Sequence, residues 1–295
     1  MITASDLADS LEGRREGHEW RCRCPVHGGR SLSVTEKAGR LLLVCRAGCR
    51  QEEVIAELKR LGLWGGDTSY EAPPPAPPVQ DDTERRADRA SDLWDRARPI
   101  ESGDPVHRYL TGRGIVLDTW PEELRCHPRL DYWEIVDGKS IKTGIFPCML
   151  AAVRNLQGSP VALHRTYLTE DGHKAAVTAP KKLFKVRDLA GSAVRLFPPM
   201  DGSVGVAEGI EDALSAWVLW GLPTWATLGT SGLRSFEPPD DVREILILAD
   251  RDENEAGQTA ALELGDRLEE KGVAVRIRVP SGQKDINGLL MERVH

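Results

Sequence analysis

The sequence predicts a mixed α/β and α+β protein whose C-terminal region has a mostly parallel sheet. From residue 203 onward, short apolar segments alternate with helical segments, which is the order that produces parallel sheets. Residues 144–200 instead contain short apolar segments between Gly, Asn and Asp turns, which indicates antiparallel strands. Paired cysteines and a histidine near the N-terminus indicate a third, small module.

A proline-rich segment marks the main boundary in the chain. The sequence "YEAPPPAPPVQDD" has no apolar periodicity and is typical of an extended, semi-rigid linker. After it, "ERRADRASDLWDRARPI" has apolar residues at helical spacing, and "DPVHRYLTGRGI" predicts a short helix ending at Gly112 or Gly114. We therefore expect four segments, at residues 1–66, 67–83, 84–200 and 201–295.

Charge is distributed unevenly between these segments. The chain has a net charge of −7, but residues 84–200 carry 19 Lys and Arg against 15 Asp and Glu, and residues 201–295 carry 9 against 18. Local patches therefore indicate more about binding partners than the overall charge does. No apolar run of about 18 residues and no secretory signal occur, so we expect a cytoplasmic protein without a membrane partner.

Two pairs of potential metal ligands flank a predicted hairpin near the N-terminus. Cys24 and His27 form the first pair, Cys45 and Cys49 form the second, and "SLSVTEKAGRLLLVC" contains the hairpin between them. Three thiolates and one imidazole suit tetrahedral Zn²⁺, and four protein ligands indicate a structural site. Two alternatives stay open at this point: Cys22 replaces Cys24 as a ligand, or the thiols are core residues and the histidine lies on the surface.

Carboxylates follow two of the apolar strands in the C-terminal region. "SVGVAE" ends at Glu208 and the next helix carries Asp212, while "REILILAD" ends at Asp250, two residues before Asp252. Because the carboxyl ends of parallel strands meet at one edge of a sheet, these side chains are expected to converge. Crowded carboxylates repel unless a cation lies between them, and Mg²⁺ or Mn²⁺ prefers oxygen ligands. The pattern thus predicts metal-dependent phosphoryl or nucleotidyl transfer.

Two other interpretations of the acidic residues stay open. Aspartate at a strand end is often a turn or cap residue, with no role in catalysis. An Asp-x-Asp sequence after a strand also occurs in phosphatases of the haloacid-dehalogenase type. There the strand opens the domain, whereas here a glutamate-bearing strand and helix precede it.

The segments "VAEGIEDALSA" and "ILILADRDENEAGQTAA" resemble the Toprim domain, which occurs in bacterial-type primases, topoisomerases and some nucleases. The resemblance implies that Glu208, Asp250 and Asp252 bind the catalytic metals. "QKDINGLL" resembles the last acidic motif of the family, with Asp285 at the matching position. Asn287 stands where relatives often carry a second acid, which removes one potential metal ligand.

The rest of the chain resembles the other parts of those primases. The N-terminal Cys and His set is similar to their zinc-binding domain, and "HRYLTGRGI" is similar to the segment that opens their polymerase core. "AAVRNLQGSPVALHRTYL" and "APKKLF" resemble the strand pair and lysine motif that shape a basic groove. By position in this groove, the candidate contacts for nucleotide phosphates or template are Arg154, Arg165, Lys181 and Lys182.

The resemblance implies a DNA primase, which makes short RNA primers on single-stranded DNA from ribonucleoside triphosphates. The compact size and the proline-rich linker resemble the Toprim primases of phages, plasmids and other mobile elements. The expected cofactors are structural Zn²⁺ and catalytic Mg²⁺ or Mn²⁺, bound by the residues named above. No Walker A motif occurs, so any replicative helicase partner is expected to be a separate protein.

Two other activities use the same kinds of residue. A Toprim nuclease uses the same carboxylates, although the basic segment with its lysine motif favours polymerisation. A non-enzymatic recombination mediator also joins zinc to a Toprim domain, but need not keep the full set of acids. A topoisomerase is disfavoured because it needs a nucleophilic tyrosine in a much larger strand-gating body.

Overall fold

The computed structural model describes residues 3–16, 19–37, 40–47, 49–64, 82–251 and 255–294. Two compact units make up the chain, Met1–Pro78 and Val79–His295. Most of the predicted linker, residues 67–81, and Asp252 lie outside the described residues. Within the described ranges, no helix combines the length and apolar character needed to cross a bilayer.

The first unit is a four-stranded antiparallel sheet with a helix at each end of its sequence. The strands pair in the order β1-β2-β3-β4, and the predicted hairpin is β3 and β4. Leu7 of the first helix and Val54 and Leu58 of the second are buried with Leu32 and Val34 of the sheet. The elements are α1 (Ala4–Ser10), β1 (Arg14–Glu16), β2 (Glu19–Cys22), β3 (Leu32–Lys37), β4 (Arg40–Cys45) and α2 (Gln51–Arg60).

The second unit begins with two helices and a second antiparallel sheet. The predicted short helix is α4, which Asp104 caps by accepting a hydrogen bond from the His107 backbone, and Gly112 follows its last residue. The sheet order is β5-β6-β7-β8. The elements are α3 (Thr83–Asp95), α4 (Pro105–Thr111), β5 (Leu124–Val136), β6 (Lys139–Arg154), β7 (Pro160–Tyr167) and β8 (Lys181–Lys185).

Two features of this sheet differ from the sequence interpretation. The segment "AVRLFP" is one of the short apolar segments at residues 144–200 that predict strands, but Ala193 and Val194 make only isolated bridges, to Arg154 and Ala226 respectively. Its apolar side chains are buried between the antiparallel sheet and the C-terminal region, so burial without a strand partner produced the pattern. The long strand β5 was not predicted, because its polar outer end has no clean alternation.

The C-terminal region is a parallel sheet with helices between its strands, as the sequence predicted. The strand order is β10-β9-β11-β12, and all three pairings are parallel. The chain moves outward from β9 to β10 and then returns to the other side of β9 with β11. The elements are β9 (Ser203–Ala207), α5 (Ile210–Trp220), β10 (Thr224–Ala226), α6 (Thr230–Ser235), β11 (Glu244–Leu248), α7 (Ala256–Glu270), β12 (Ala274–Arg278) and α8 (Ile286–Val294).

The antiparallel and parallel sheets of the second unit share one apolar core. Met149 and Leu124 of the antiparallel sheet belong to the same buried cluster as Ile210 and Leu214 of α5 and Leu290 of α8. Burying such side chains contributes about 1.5–3 kcal/mol each, so this shared core holds α4, α5 and α8 in fixed positions. The candidate site in the second unit lies where these helices meet the strand ends.

Candidate functional site

The four predicted zinc ligands form one cluster in the first unit. The ligand atoms of Cys24, His27, Cys45 and Cys49 all lie within 4.8 Å of one another. The Nε2 atom of His27 is 3.3 Å from the Cys45 Sγ, and the Cys24 Sγ is 3.9 Å from the Cys49 Sγ. In the ranges that the structure describes, this is the one group of three or more Cys, His, Asp or Glu side chains gathered so closely.

The charge state of the thiols shows why this cluster suits a cation. Burial raises the pKa of Cys45, but hydrogen bonds from Ser31, the Cys49 backbone and His27 outweigh it and bring the pKa to about 5. Burial and the neighbouring Cys45 and Cys24 raise the pKa of Cys49 to about 12. One thiolate therefore makes the next harder to form unless a positive ion joins the cluster. Three thiols and an imidazole are the donor set of structural zinc sites, so these residues fit Zn²⁺.

Cys22 lies outside this cluster. Its side chain is fully buried in the core of the first unit, and burial raises its pKa to about 11. A Cβ atom added at Gly13 would lie 2.8 Å from the Cys22 Sγ, so the thiol fills the space beside α1. The structure thus places Cys22 as a packing residue and Cys24 beside the other candidate ligands.

In the second unit, four of the predicted acidic residues line a single cavity of about 310 Å³. Glu208 directly follows β9 and Asp250 lies two residues after β11, and the register pairs Ala207 with Leu248 at the ends of these neighbouring strands. From β9 the chain adds β10 on one side and then β11 on the other, so the order of strand addition reverses between β9 and β11. Open α/β sheets bind ligands at this position. Asp212 on α5 and Asp285 before α8 complete the acidic wall.

Two glycines leave room for these carboxylates. A Cβ atom added at Gly257, in the first turn of α7, would lie 2.7 Å from the Glu208 Oε1 and 3.0 Å from the Asp250 carbonyl oxygen. A Cβ atom at Gly209 would lie 2.5 Å from the Asp212 Oδ2. A larger residue at either position would push against an acidic side chain. Four carboxylates held in one such cavity are the oxygen donors that fit Mg²⁺ or Mn²⁺.

Asn287 holds residues of this acidic wall in place, and its own side-chain amide is engaged in hydrogen bonds rather than available to a metal. Its backbone N–H donates to the Asp212 Oδ1 at 2.9 Å, and its side-chain Nδ2 donates to the Ser215 Oγ and the Arg113 carbonyl oxygen. The Arg113 guanidinium in turn donates to the Asn287 Oδ1 at 2.6 Å. Burial, with Asp285 and Glu211 nearby, raises the pKa of Asp212 to about 6 despite the Asn287 hydrogen bond. The amide therefore fixes Asp212 and Arg113 on one wall of the cavity.

The sequence interpretation missed a buried ion pair in the same cavity. The Lys181 ammonium lies 2.9 Å from the Glu211 Oε1 and 3.0 Å from the Oε2, and the Tyr109 hydroxyl donates to the Oε1 at 2.5 Å. Burial raises the pKa of Glu211, but Lys181 and the Tyr109 hydrogen bond outweigh it and lower the pKa to about 2. Glu211 immediately precedes Asp212 in the sequence, but its partner Tyr109 comes from a helix 102 residues away, which no local pattern could indicate.

Cationic and neutral nitrogen groups line the same cavity as the carboxylates. Arg113, Lys174, Lys181 and His164 all line the cavity. Burial, reinforced by the neighbouring Lys181, lowers the pKa of His164 to about 4, so its imidazole is neutral at pH 7. The cavity lining thus combines carboxylates, suited to a cation, with basic groups, suited to phosphate.

The four basic residues expected to share one groove are separated in the structure. Lys181 lines the cavity, but Lys182 and Arg165 lie on the other face of the same strands, because successive strand residues point to opposite faces. Lys182 donates a hydrogen bond to the Trp133 carbonyl oxygen and lies 3.9 Å from the centre of the Tyr132 ring. Arg165 lies against the Phe184 ring, and Arg154 pairs with Glu123 at 2.7 Å.

Two domain profiles match the second unit. Residues 84–196 match a domain of unknown function (DUF7146), and residues 203–294 match the Toprim domain. The Toprim match spans the whole parallel sheet, from β9 to α8, and therefore contains Glu208, Asp250 and Asp285. A comparison with curated proteins gives no match.

Comparison with solved structures gives similarities to primases at low identity. The primase fragment of the bacteriophage T7 primase-helicase protein is 18% identical, with 63% of this chain and 65% of that chain covered and a TM-score of 0.36. A DNA primase domain from Pseudomonas aeruginosa is 17% identical, with 71% and 74% covered and a TM-score of 0.47. The Aquifex aeolicus primase, with zinc-binding and RNA polymerase domains, is 14% identical, with 99% and 80% covered and a TM-score of 0.44. From the profile match and the parallel sheet, residues 203–294 of this chain are a Toprim domain.

Proposed function

We propose that this chain is a DNA primase that synthesises short RNA primers on a single-stranded DNA template. The observation that carries this proposal is the composition of the Toprim cavity, where carboxylates that follow β9 and β11 line the same cavity as Lys181, Lys174 and Arg113. Template-directed synthesis must bind a triphosphate and its metal ions together, and a cavity lined by both acidic and basic side chains provides for both. A cation site alone would not need the basic side chains.

The proposed ligands of the catalytic metals are the acidic residues of the Toprim domain. Glu208, Asp250, Asp212 and Asp285 line the cavity, and Asp252 is proposed from its sequence position. Bound Mg²⁺ or Mn²⁺ would activate a 3′-hydroxyl and stabilise the leaving pyrophosphate. The chain's own residues hold the substrate: Arg113 and Lys181 offer donors to phosphate oxygens, and the buried Asn287 keeps Arg113 in place.

We assign the first unit a supporting role in the same reaction. Zn²⁺ held by Cys24, His27, Cys45 and Cys49 would stabilise a small unit with a limited apolar core. We propose that this unit recognises the single-stranded template. The T7 structure is a fragment of a primase-helicase protein. By extension, we propose that this chain works with a separate replicative helicase.

A single gel assay tests the proposed activity and separates it from nuclease activity. The purified chain is incubated with a single-stranded DNA template, ribonucleoside triphosphates and Mg²⁺ or Mn²⁺, and the products are resolved by length. We expect new oligoribonucleotides in the wild-type chain and none in Glu208→Gln or in chelator. Shortened template without new oligonucleotides would instead establish the nuclease. If neither product forms, the proposal of an enzymatic activity is overturned.

A further inference from the structure

Glu211 is the most buried acidic side chain of the Toprim cavity, and it faces a lysine rather than the other carboxylates. Only 6% of its side chain is exposed, while its partner Lys181 keeps 39% exposure. The pair joins α5 to β8, and Tyr109 joins both to α4. Three separate elements therefore converge on one carboxylate at the edge of the cavity.

The hydrogen bonds already made by Glu211 argue against a role as a metal ligand. A carboxylate has about four lone-pair positions, and Glu211 accepts two hydrogen bonds, one from Tyr109 and one from Lys181, whose ammonium also lies 2.9 Å from the Oε1. Drawing it toward a metal would separate it from Lys181 and leave a buried carboxylate poorly paired, which is costly. Its chemistry thus differs from that of Glu208 and Asp250, which follow the strands.

The same geometry leaves Lys181 able to contact a second group. An ammonium group has three N–H donors, and Lys181 donates one hydrogen bond to the Glu211 Oε2, with the Oε1 2.9 Å away. The partial exposure of the side chain and its place in the cavity lining leave the ammonium accessible to a ligand. A lysine side chain has four rotatable bonds, and the two contacts to Glu211 remove most of that freedom before the ligand arrives.

We infer that Glu211 is a positioning residue that holds Lys181 where its ammonium contacts the triphosphate of the incoming nucleotide. This inference rests on the proposed function, since it assigns a substrate class to the same cavity. Tyr109 supports the arrangement by holding the Glu211 Oε1. The competing interpretation is that the three residues only tie α4, α5 and β8 together.

A double-mutant cycle distinguishes positioning from a purely structural role. Binding of ATP in MgCl₂ is measured by calorimetry, and the KM and kcat for nucleotide are measured in primer synthesis. Glu211→Gln is expected to weaken nucleotide binding and raise KM about tenfold, with a smaller change in kcat. In a Lys181→Met background the same change should have no further effect on binding, because the group that it positions is gone.

Two further variants keep the test decisive if Glu211→Gln folds poorly. Tyr109→Phe removes only the hydroxyl and should raise KM in the same direction by a smaller factor. Glu84→Gln, on the exposed face of α3, is the matched control and should change neither binding nor KM. Each variant is also melted, so that a loss of stability is measured apart from the loss of nucleotide affinity.

The outcomes separate this inference from the proposed function. An equal loss of binding from Glu211→Gln with and without Lys181 would overturn the inference, even in a chain that makes primers. Nucleotide binding that depends on Glu211 and Lys181 in a chain that makes no primers would support the inference and refute the primase. A wild-type chain that binds no ATP in MgCl₂ would overturn the inference as well.

Discussion

The two candidate metal sites of this chain differ in how their residues are brought together. The thiol cluster draws its four residues from positions 24–49, on turns that flank one hairpin. The acidic cavity draws on positions 208–285 and needs the strand ends, α5 and α8 all in place. The first site is therefore a property of a local segment, whereas the second is a property of the completed fold.

This difference predicts opposite relations between metal and stability. A local cluster in a small unit has little else to hold it together, so the metal contributes directly to folding. The acidic cavity lies on a large shared core, and its carboxylates repel one another inside a fold that is stable without them. Removing the first metal should unfold a unit, while neutralising the second site should leave the fold intact.

The largest expected effect is the loss of zinc from the first unit. Cys49→Ser should reduce bound zinc from one ion per chain to none and unfold residues 1–64, since apparent binding energies of structural zinc reach about 10 kcal/mol. Metal analysis and limited proteolysis measure the two losses. Cys22→Ser is the matched control and should retain the zinc, because the Cys22 thiol lies in the core. A Cys49→Ser chain that still binds one zinc would remove this ligand assignment.

A smaller effect should follow from neutralising Asp212. Its pKa is raised from 3.8 to about 6, so the folded state favours the protonated acid, and its charge costs stability as pH rises through that range. At pH 8 in chelator, Asp212→Asn should be more stable than the wild-type chain, by at most about 3 kcal/mol. The gain should shrink as the pH approaches 4. Denaturant melts at both pH values measure it, and a gain that does not change with pH would contradict the assigned cause.

The smallest effect should distinguish the two neighbouring lysines of β8. Lys181→Met should lower the salt dependence of oligonucleotide or nucleotide binding by about 0.7 of a unit in the logarithmic slope, because one phosphate contact is lost. Lys182→Ala should leave the slope unchanged, since that ammonium is engaged with the Trp133 carbonyl and the Tyr132 ring. Binding titrations at several salt concentrations measure both slopes. An equal loss of slope in the two variants would show that Lys182 contacts phosphate in the same groove as Lys181.

The contrast between features of a local segment and features of the completed fold also explains which parts of the structure the sequence predicts. The hairpin between the cysteine pairs and the strands that precede Glu208 and Asp250 were predicted, because turn chemistry and apolar runs are local signals. The fact that Lys181 and Lys182 face opposite sides depends only on strand alternation, and was missed because both were assigned to one motif.

Other parts of the site could not be read from the sequence at all. The contacts of Tyr109 with Glu211 and of Arg113 with Asn287 span 102 and 174 residues, and only the packing of α4 and the residues after it against the Toprim helices brings them together. The segment at 193–198 has the composition of a strand, yet its neighbours bury it without a continuous partner. In both cases tertiary packing, which has no local signature, decides the outcome.

The most direct test of the account compares stability and synthesis in Asp250→Asn, measured on the same preparation. If the acidic cavity is the catalytic metal site of a primase, the melting temperature in chelator should stay equal or rise, because a repelling charge is gone. Primer synthesis should fall by at least about 10²-fold, since losing a metal ligand removes several kcal/mol of transition-state stabilisation. An Asp250→Asn chain that melts at a lower temperature and still makes primers would show that Asp250 holds the fold, and would contradict the catalytic assignment.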